Sequence, residues 1–194
     1  MQIQWKLAIA TALTAVVAGA ASFFAANVAA SKGASGTAAL KASVGKFHNP
    51  DTAFDAGWQP QPGLDQCFEL PGTGGMGIHY INTGLMDLTL DPTQPEAMVY
   101  QQDPNGRLHL GAVEYIVPQA PWDAAHPLDA DGHRELPVLR GLTPEDLPLH
   151  LNAGLGVYVL HAWVFTKNPA GTFADWNPDV SCLPGTAAIH GHSD

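Results

Sequence analysis

Residues Ala97-Met-Val-Tyr-Gln-Gln102, then Asp103-Pro-Asn-Gly106, then Arg107-Leu-His-Leu-Gly-Ala-Val-Glu-Tyr-Ile-Val117 carry the reading of this chain. Two runs rich in β-branched and aromatic residues flank Asn-Gly, the pair that most readily adopts the backbone of a tight hairpin turn. A two-residue turn sets Pro104 opposite Arg107, Tyr100 opposite Gly111 and Ala97 opposite Glu114. One face of the second strand then carries Leu108, Leu110, Ala112, Glu114 and Ile116.

On either side the texture stays β. Met76 to Asn82 follows a glycine-rich lead-in and reads as a strand. Gly154 to Thr166 reads as another, apolar on both faces and so placed between two layers. Its residues Leu155, Val157, Val159, His161, Trp163 and Phe165 share a face. Before the strands, Leu40, Val44 and Phe47 stand at helical spacing. Asn49-Pro50-Asp51 is an N-cap with proline at the first helical position, predicting a short helix that ends at Gly57. Between Pro118 and Ala153 runs a proline-rich connection that predicts a cover over one end of the fold, or short hidden elements such as a helical turn at Thr143-Pro-Glu-Asp146. The fold class is mainly β: an antiparallel sandwich or small barrel with a short N-terminal helical arm. The expected organisation is a signal peptide over 1–30, linker and arm over 31–58, a β domain over 59–183 and a frayed tail over 184–194.

The 194 residues are 46% hydrophobic and 13% charged, enough apolar material for one packed domain. Eighteen acidic residues against eight basic ones give a net charge of −10, which argues against nucleic acid as a partner. Lys6 precedes an uncharged, alanine-rich segment, and Val28-Ala29-Ala30 fits a small-residue cleavage site before Ser31. A retained membrane anchor is the rival reading. Cleavage leaves no stable membrane insertion and implies a secreted or periplasmic protein. In that oxidising setting Cys67 and Cys182 are expected to form a disulfide rather than remain as buried thiols.

Several chemistries lack their parts. After Ser43 the only serines are Ser181 and Ser193, and no Gly-x-Ser-x-Gly occurs. Gly72 to Gly77 spells Gly-x-Gly-x-x-Gly but leads into a strand-like run, not a helix, so no nucleotide cofactor is expected. Asp129-Ala-Asp131-Gly132 puts Pro127 and Val138 where a calcium loop needs carboxylates. His190 and His192 lie in the tail.

What remains is polar residues inside apolar strands. His79, Glu114 and His161 each interrupt such a run, and a buried carboxylate must be protonated, paired or metal-bound. From Phe47 onward the basic residues are only Arg107, Arg134, Arg140 and Lys167, so histidine or a cation is the expected partner of Glu114. Two imidazoles and a carboxylate suit a divalent metal, zinc or iron, with positions left open. Taken singly, each histidine is also explained as a hydrogen-bonded core residue. His109, on the other hairpin face, and His150, in the long connection, are secondary candidates. A second patch holds Trp122, Asp175 and Trp176, an aromatic and acidic surface suited to a small molecule or glycan. Asx-turn chemistry accounts for Asp175 and Asn177 without function, and Trp163 is expected in the core.

Gly75-Met-Gly-Ile-His-Tyr-Ile-Asn82, Val113-Glu-Tyr-Ile-Val-Pro118, Leu160-His-Ala-Trp163 and Asn168 through Cys182 together resemble an uncharacterised family of exported bacterial proteins. The resemblance covers most of the chain after residue 30 and implies export, with no catalytic residues to carry over. The arrangement is also similar to small barrels of the cupin type, although His79 is followed by Tyr80 and Ile81 and not by the cupin histidine pattern. The functional expectation is an exported metal-binding protein, extending to a metal-dependent hydrolase or oxygenase. Its alternative is a non-catalytic extracytoplasmic binding module.

Overall fold

The computed structural model describes residues 36–188. The expected leader, its cleavage before Ser31 and the histidines at 190 and 192 lie outside the described residues. Helix α1 (36–44) runs into a 3-10 turn, Gly45–His48, and buries Leu40, Val44 and Phe47 as their spacing predicts. Helix α2 (Pro50–Asp55) opens on Asn49, whose side chain accepts from the Asp51 N–H. The arm is no appendage. The Tyr100 hydroxyl donates to the Phe47 carbonyl at 2.6 Å, and Trp58 stacks at a tilt on Phe47.

The strands are β1 (Gln59–Pro60), β2 (Cys67–Leu70), β3 (Gly74–Ile81), β4 (Ala97–Gln102), β5 (Leu108–Pro118), β6 (Val138–Leu139), β7 (Leu147–Pro148), β8 (His150–Asn152), β9 (Val157–Ala162) and β10 (Ala187–Ala188). Eight of them form one sheet in the order β10-β2-β3-β4-β5-β9-β8, with β1 also paired to β3; β6 and β7 pair separately. Pairing is antiparallel except between β10 and β2. Among the described residues the sheet is mainly antiparallel with sandwich-like layering and does not close, against the barrel alternative. The expected fraying from 184 is corrected at 187–188, which add a strand to the edge.

The hairpin forms, with one correction to its register. Ala97 faces Glu114 as predicted, but Tyr100 faces Leu110. Asp103 N–H donates to the Arg107 carbonyl and Gly106 sits at φ 81°, so the turn spans three residues and ends in a left-handed glycine. The phase is restored at Gly111, an extra residue between Leu110 and Ala112 that forms a bulge. Its carbonyl takes the N–H groups of Phe165 and Thr166. The bulge also breaks the expected common face. Leu108 and Leu110 join Val113, Tyr115 and Val117 in the core beneath the helices, while Ala112, Glu114 and Ile116 face the other way.

The predicted strand 154–166 is shorter. The Gly156 N–H returns to the Asn152 carbonyl, closing a turn into β9. Beyond Ala162, the Trp163 N–H leaves for the Thr172 carbonyl, and Phe165 crosses to the helical side. Between these ends both faces of β9 are covered, as expected. The long connection does hide short elements: α3 (Gln119–Ala125), β6, β7 and β8. It packs Trp122, Leu139, Leu142 and Leu149 into the helix-side core, so it is a wall of that core and not a lid over one end. Thr143 to Glu145 forms bends, and no helical turn forms over 143–146.

Candidate metal centre

Cross-strand register assembles the site on the face away from the helices. Glu114 on β5 lies directly opposite His161 on β9. His79 on β3 is separated from them by β4, where Ala97 is paired with both Ile81 and Glu114. Ala97 is fully buried and carries only a methyl group, which leaves room for the His79 ring to reach across. The Nε2 atoms of His79 and His161 are 3.2 Å apart, and Glu114 Oε2 is 3.4 Å from His79 Nε2. One ligand atom from each of the three residues lies within 4.8 Å of the others, and all three side chains are buried. Ligand bonds of about 2 Å to one cation place donor atoms roughly 3–4 Å apart, so the group could hold a metal ion.

Asp175 completes the cluster. Its Oδ1 is 3.5 Å from His161 Nδ1 and its Oδ2 is 3.0 Å from His150 Nε2. With His161 Nε2 turned to His79, its Nδ1 has two carboxylates at ion-pair distance, Asp175 Oδ1 and, at 3.7 Å, Glu114 Oε1; Asp175 thus stands on the side from which carboxylates orient histidine ligands in metalloproteins. The segment carrying Asp175 is fixed by Trp163, whose indole donates to the Ala174 carbonyl, and by the Asn168 amide on the Trp176 carbonyl. Asn177 is fully buried; its amide donates to the Lys167 carbonyl and its oxygen accepts from Asp179 N–H. The Asx-turn reading holds for Asn177 and fails for Asp175.

The electrostatics follow from burial and closeness. Burial pushes Glu114 up, partly opposed by His161 and His150 and reinforced by Asp175. Burial alone would lower His161, but Glu114 and Asp175 hold its proton and the net direction is upward. Burial would raise Asp175, yet its contacts to His150 and His161 hold it well below the usual carboxylate range. His150 is raised chiefly by its hydrogen bond to Asp175.

The cluster lines a cavity of about 240 Å³ whose remaining walls are mostly apolar and include Phe68, Met76, Ile81 and Val159. The expected aromatic surface does not assemble. Trp122 is corrected from exposed to buried: it packs in the helix-side core, donates to the Glu135 carbonyl at 2.8 Å and stacks on His126. Trp176 is half-buried, and Asp175 faces the histidines. Trp163 is in the core as expected. His109 is exposed and pairs with Asp103, away from the site. Cys67 and Cys182 form the expected disulfide.

One participant, Asp175, escaped the sequence reading, and so did Glu96, a buried carboxylate outside the cluster. Asp175 was placed with a different patch because nothing in its spacing shows that the turn after Ala162 folds it back on His161. Glu96 lies one residue before β4, is 2% exposed and accepts from the Ile116 N–H. Compared with known protein families, characterised proteins and solved structures, the chain finds no match.

If Asp175 orients His161, Asp175→Ala weakens zinc binding by about 10–100-fold while leaving secondary structure intact. Competition against a zinc-chelating dye measures this; unchanged affinity in the variant removes Asp175 from the centre.

Proposed function

We propose that this is an exported metal-binding protein in which His79, Glu114 and His161 hold one divalent cation, zinc or iron, and that the centre serves a hydrolase or oxygenase reaction. The observation that carries the reading is the convergence of two imidazoles and a carboxylate, all buried, with ligand atoms within 4.8 Å of each other. Three protein ligands leave coordination positions open, which is the pattern of catalytic and not of closed structural sites. Such a metal supplies an activated water or binds oxygen. The chain's own groups fix the ligand geometry through Asp175 and keep the centre in an apolar cavity.

The disulfide supports an oxidising compartment, in keeping with the resemblance to exported bacterial proteins. Among the described residues no helix is long and apolar enough to cross a membrane. The rival surface-binding reading is weakened by the burial of Trp122 and the diversion of Asp175 to His161.

The test is metal content by mass spectrometry of protein made in an oxidising compartment, beside Glu114→Ala and His161→Ala. The expected result is about one equivalent of zinc or iron in the parent, lost in both variants. Folded parent protein that takes up no metal, even when zinc, iron and copper are each supplied, overturns the reading.

A further inference from the structure

We propose that the cavity binds an uncharged, mostly apolar small molecule of about ten non-hydrogen atoms, seated with one oxygen against the His79–Glu114–His161 cluster. The size comes from the volume. An apolar protein cavity of about 150 Å³ accommodates benzene, and this one is about 240 Å³, room for two fused rings or an alkyl chain of similar bulk. The apolar character comes from the walls. Phe68, Met76, Ile81 and Val159 offer no hydrogen-bonding oxygen or nitrogen, and outside the cluster only Gln61, Thr83 and Asn152 are polar, so most of a ligand's body gains by leaving water and loses hydrogen bonds it had there.

The neutral charge comes from what the lining lacks. Among the described residues no lysine or arginine lines the cavity, and its two acidic residues, Glu114 and Asp175, both stand beside His161. A carboxylate or phosphate ligand would give up its water beside the Asp175 carboxylate, with no lysine or arginine among those lining residues to replace it. An ammonium ion would have to leave water for aliphatic walls. A hydroxyl or carbonyl meets neither penalty and finds imidazole and carboxyl partners at the cluster. Thr83 and Leu155, the exposed lining residues, mark the entrance, with Met86 and Val157 half-buried along the lining.

The oxygen anchor rests on the metal reading above; the apolar body does not, and the experiment separates them. The probes are 2-naphthol and 2-naphthoate, titrated calorimetrically into protein stripped with a chelator and into zinc-loaded protein. The expected result is saturable 2-naphthol binding to both forms, tighter with zinc. In the stripped form 2-naphthoate should bind at least about tenfold more weakly. Val157→Phe and Met86→Phe, each checked for folding by circular dichroism, should weaken 2-naphthol by about tenfold or more. Absence of saturable 2-naphthol binding in both forms overturns the proposal, as does equal affinity for the naphthoate in stripped protein. Zinc uptake without naphthol binding removes this inference and leaves the metal centre. Naphthol binding without zinc uptake does the reverse.

Discussion

Reduction of the Cys67–Cys182 bridge is expected to lower the stability of the protein by about 4–5 kcal/mol, read as a fall in the urea midpoint together with a steeper slope, because the released unfolded chain exposes more surface. The cysteines are 115 residues apart in sequence. Tying such distant points together removes many conformations from the unfolded chain, and the loss grows with the logarithm of the loop. The folded state adds local reasons for the bridge to matter. The Cys182 N–H donates to Glu69 Oε2 at 2.7 Å, and Cys67 lies at the start of β2 where β10 pairs. Cys67→Ser/Cys182→Ser provides the same comparison without reductant. Equal midpoints for the double variant and the parent would show that the link constrains nothing.

Glu96→Gln is expected to stabilise the protein at alkaline pH and to flatten its pH profile. Burial is the main cause that pushes the Glu96 carboxyl up to about 8 from 4.5; the Ile116 N–H and its own backbone N–H oppose the rise, while Asp87 and Glu114 add to it. The folded protein therefore keeps this proton where the unfolded chain has lost it. Folding takes up a proton between pH 4.5 and about 8, so stability from this group is present below that window and falls as pH rises through it. At about 1.4 kcal/mol per unit, the ceiling on the loss is about 4–5 kcal/mol. Glutamine keeps an acceptor for Ile116 N–H and never ionises. Urea midpoints at pH 5 and pH 9 should converge for the two proteins at the lower value and separate at the higher, the variant being the more stable. Parallel profiles would mean that Glu96 ionises freely where it sits.

What the sequence disclosed depended on whether the cause was local. Asn49-Pro50 announced α2 because capping is settled within one turn of helix. Asn105-Gly106 announced the hairpin for the same kind of reason. The partnership of His79, Glu114 and His161 was legible because a carboxylate and two imidazoles inside apolar strands demand satisfaction wherever the strands go. The bulge at Gly111 was not legible. Phe165 and Thr166 donate to its carbonyl from more than fifty residues away, a partnership that no local pattern announces. Since β side chains alternate, that one residue moved Leu108 and Leu110 to the opposite face from Glu114. Trp122 was misplaced for a similar reason: proline and acid beside it look like surface, yet α3 turns the indole inward. Asp175 required knowledge of how the chain reverses after Ala162.

The parallel pairing of β10 with β2 imposes an order of events on a chain that emerges from its amino end. β2 arrives early, but its outer partner and the cysteine that ties it down come more than a hundred residues later. During that interval the N–H and C=O groups of the open edge can template pairing with other chains. Contacts of such long range are also slow to form. The yield of correctly made protein is thus governed by a kinetic race between closure of that edge and intermolecular pairing, a quantity that equilibrium stability does not report.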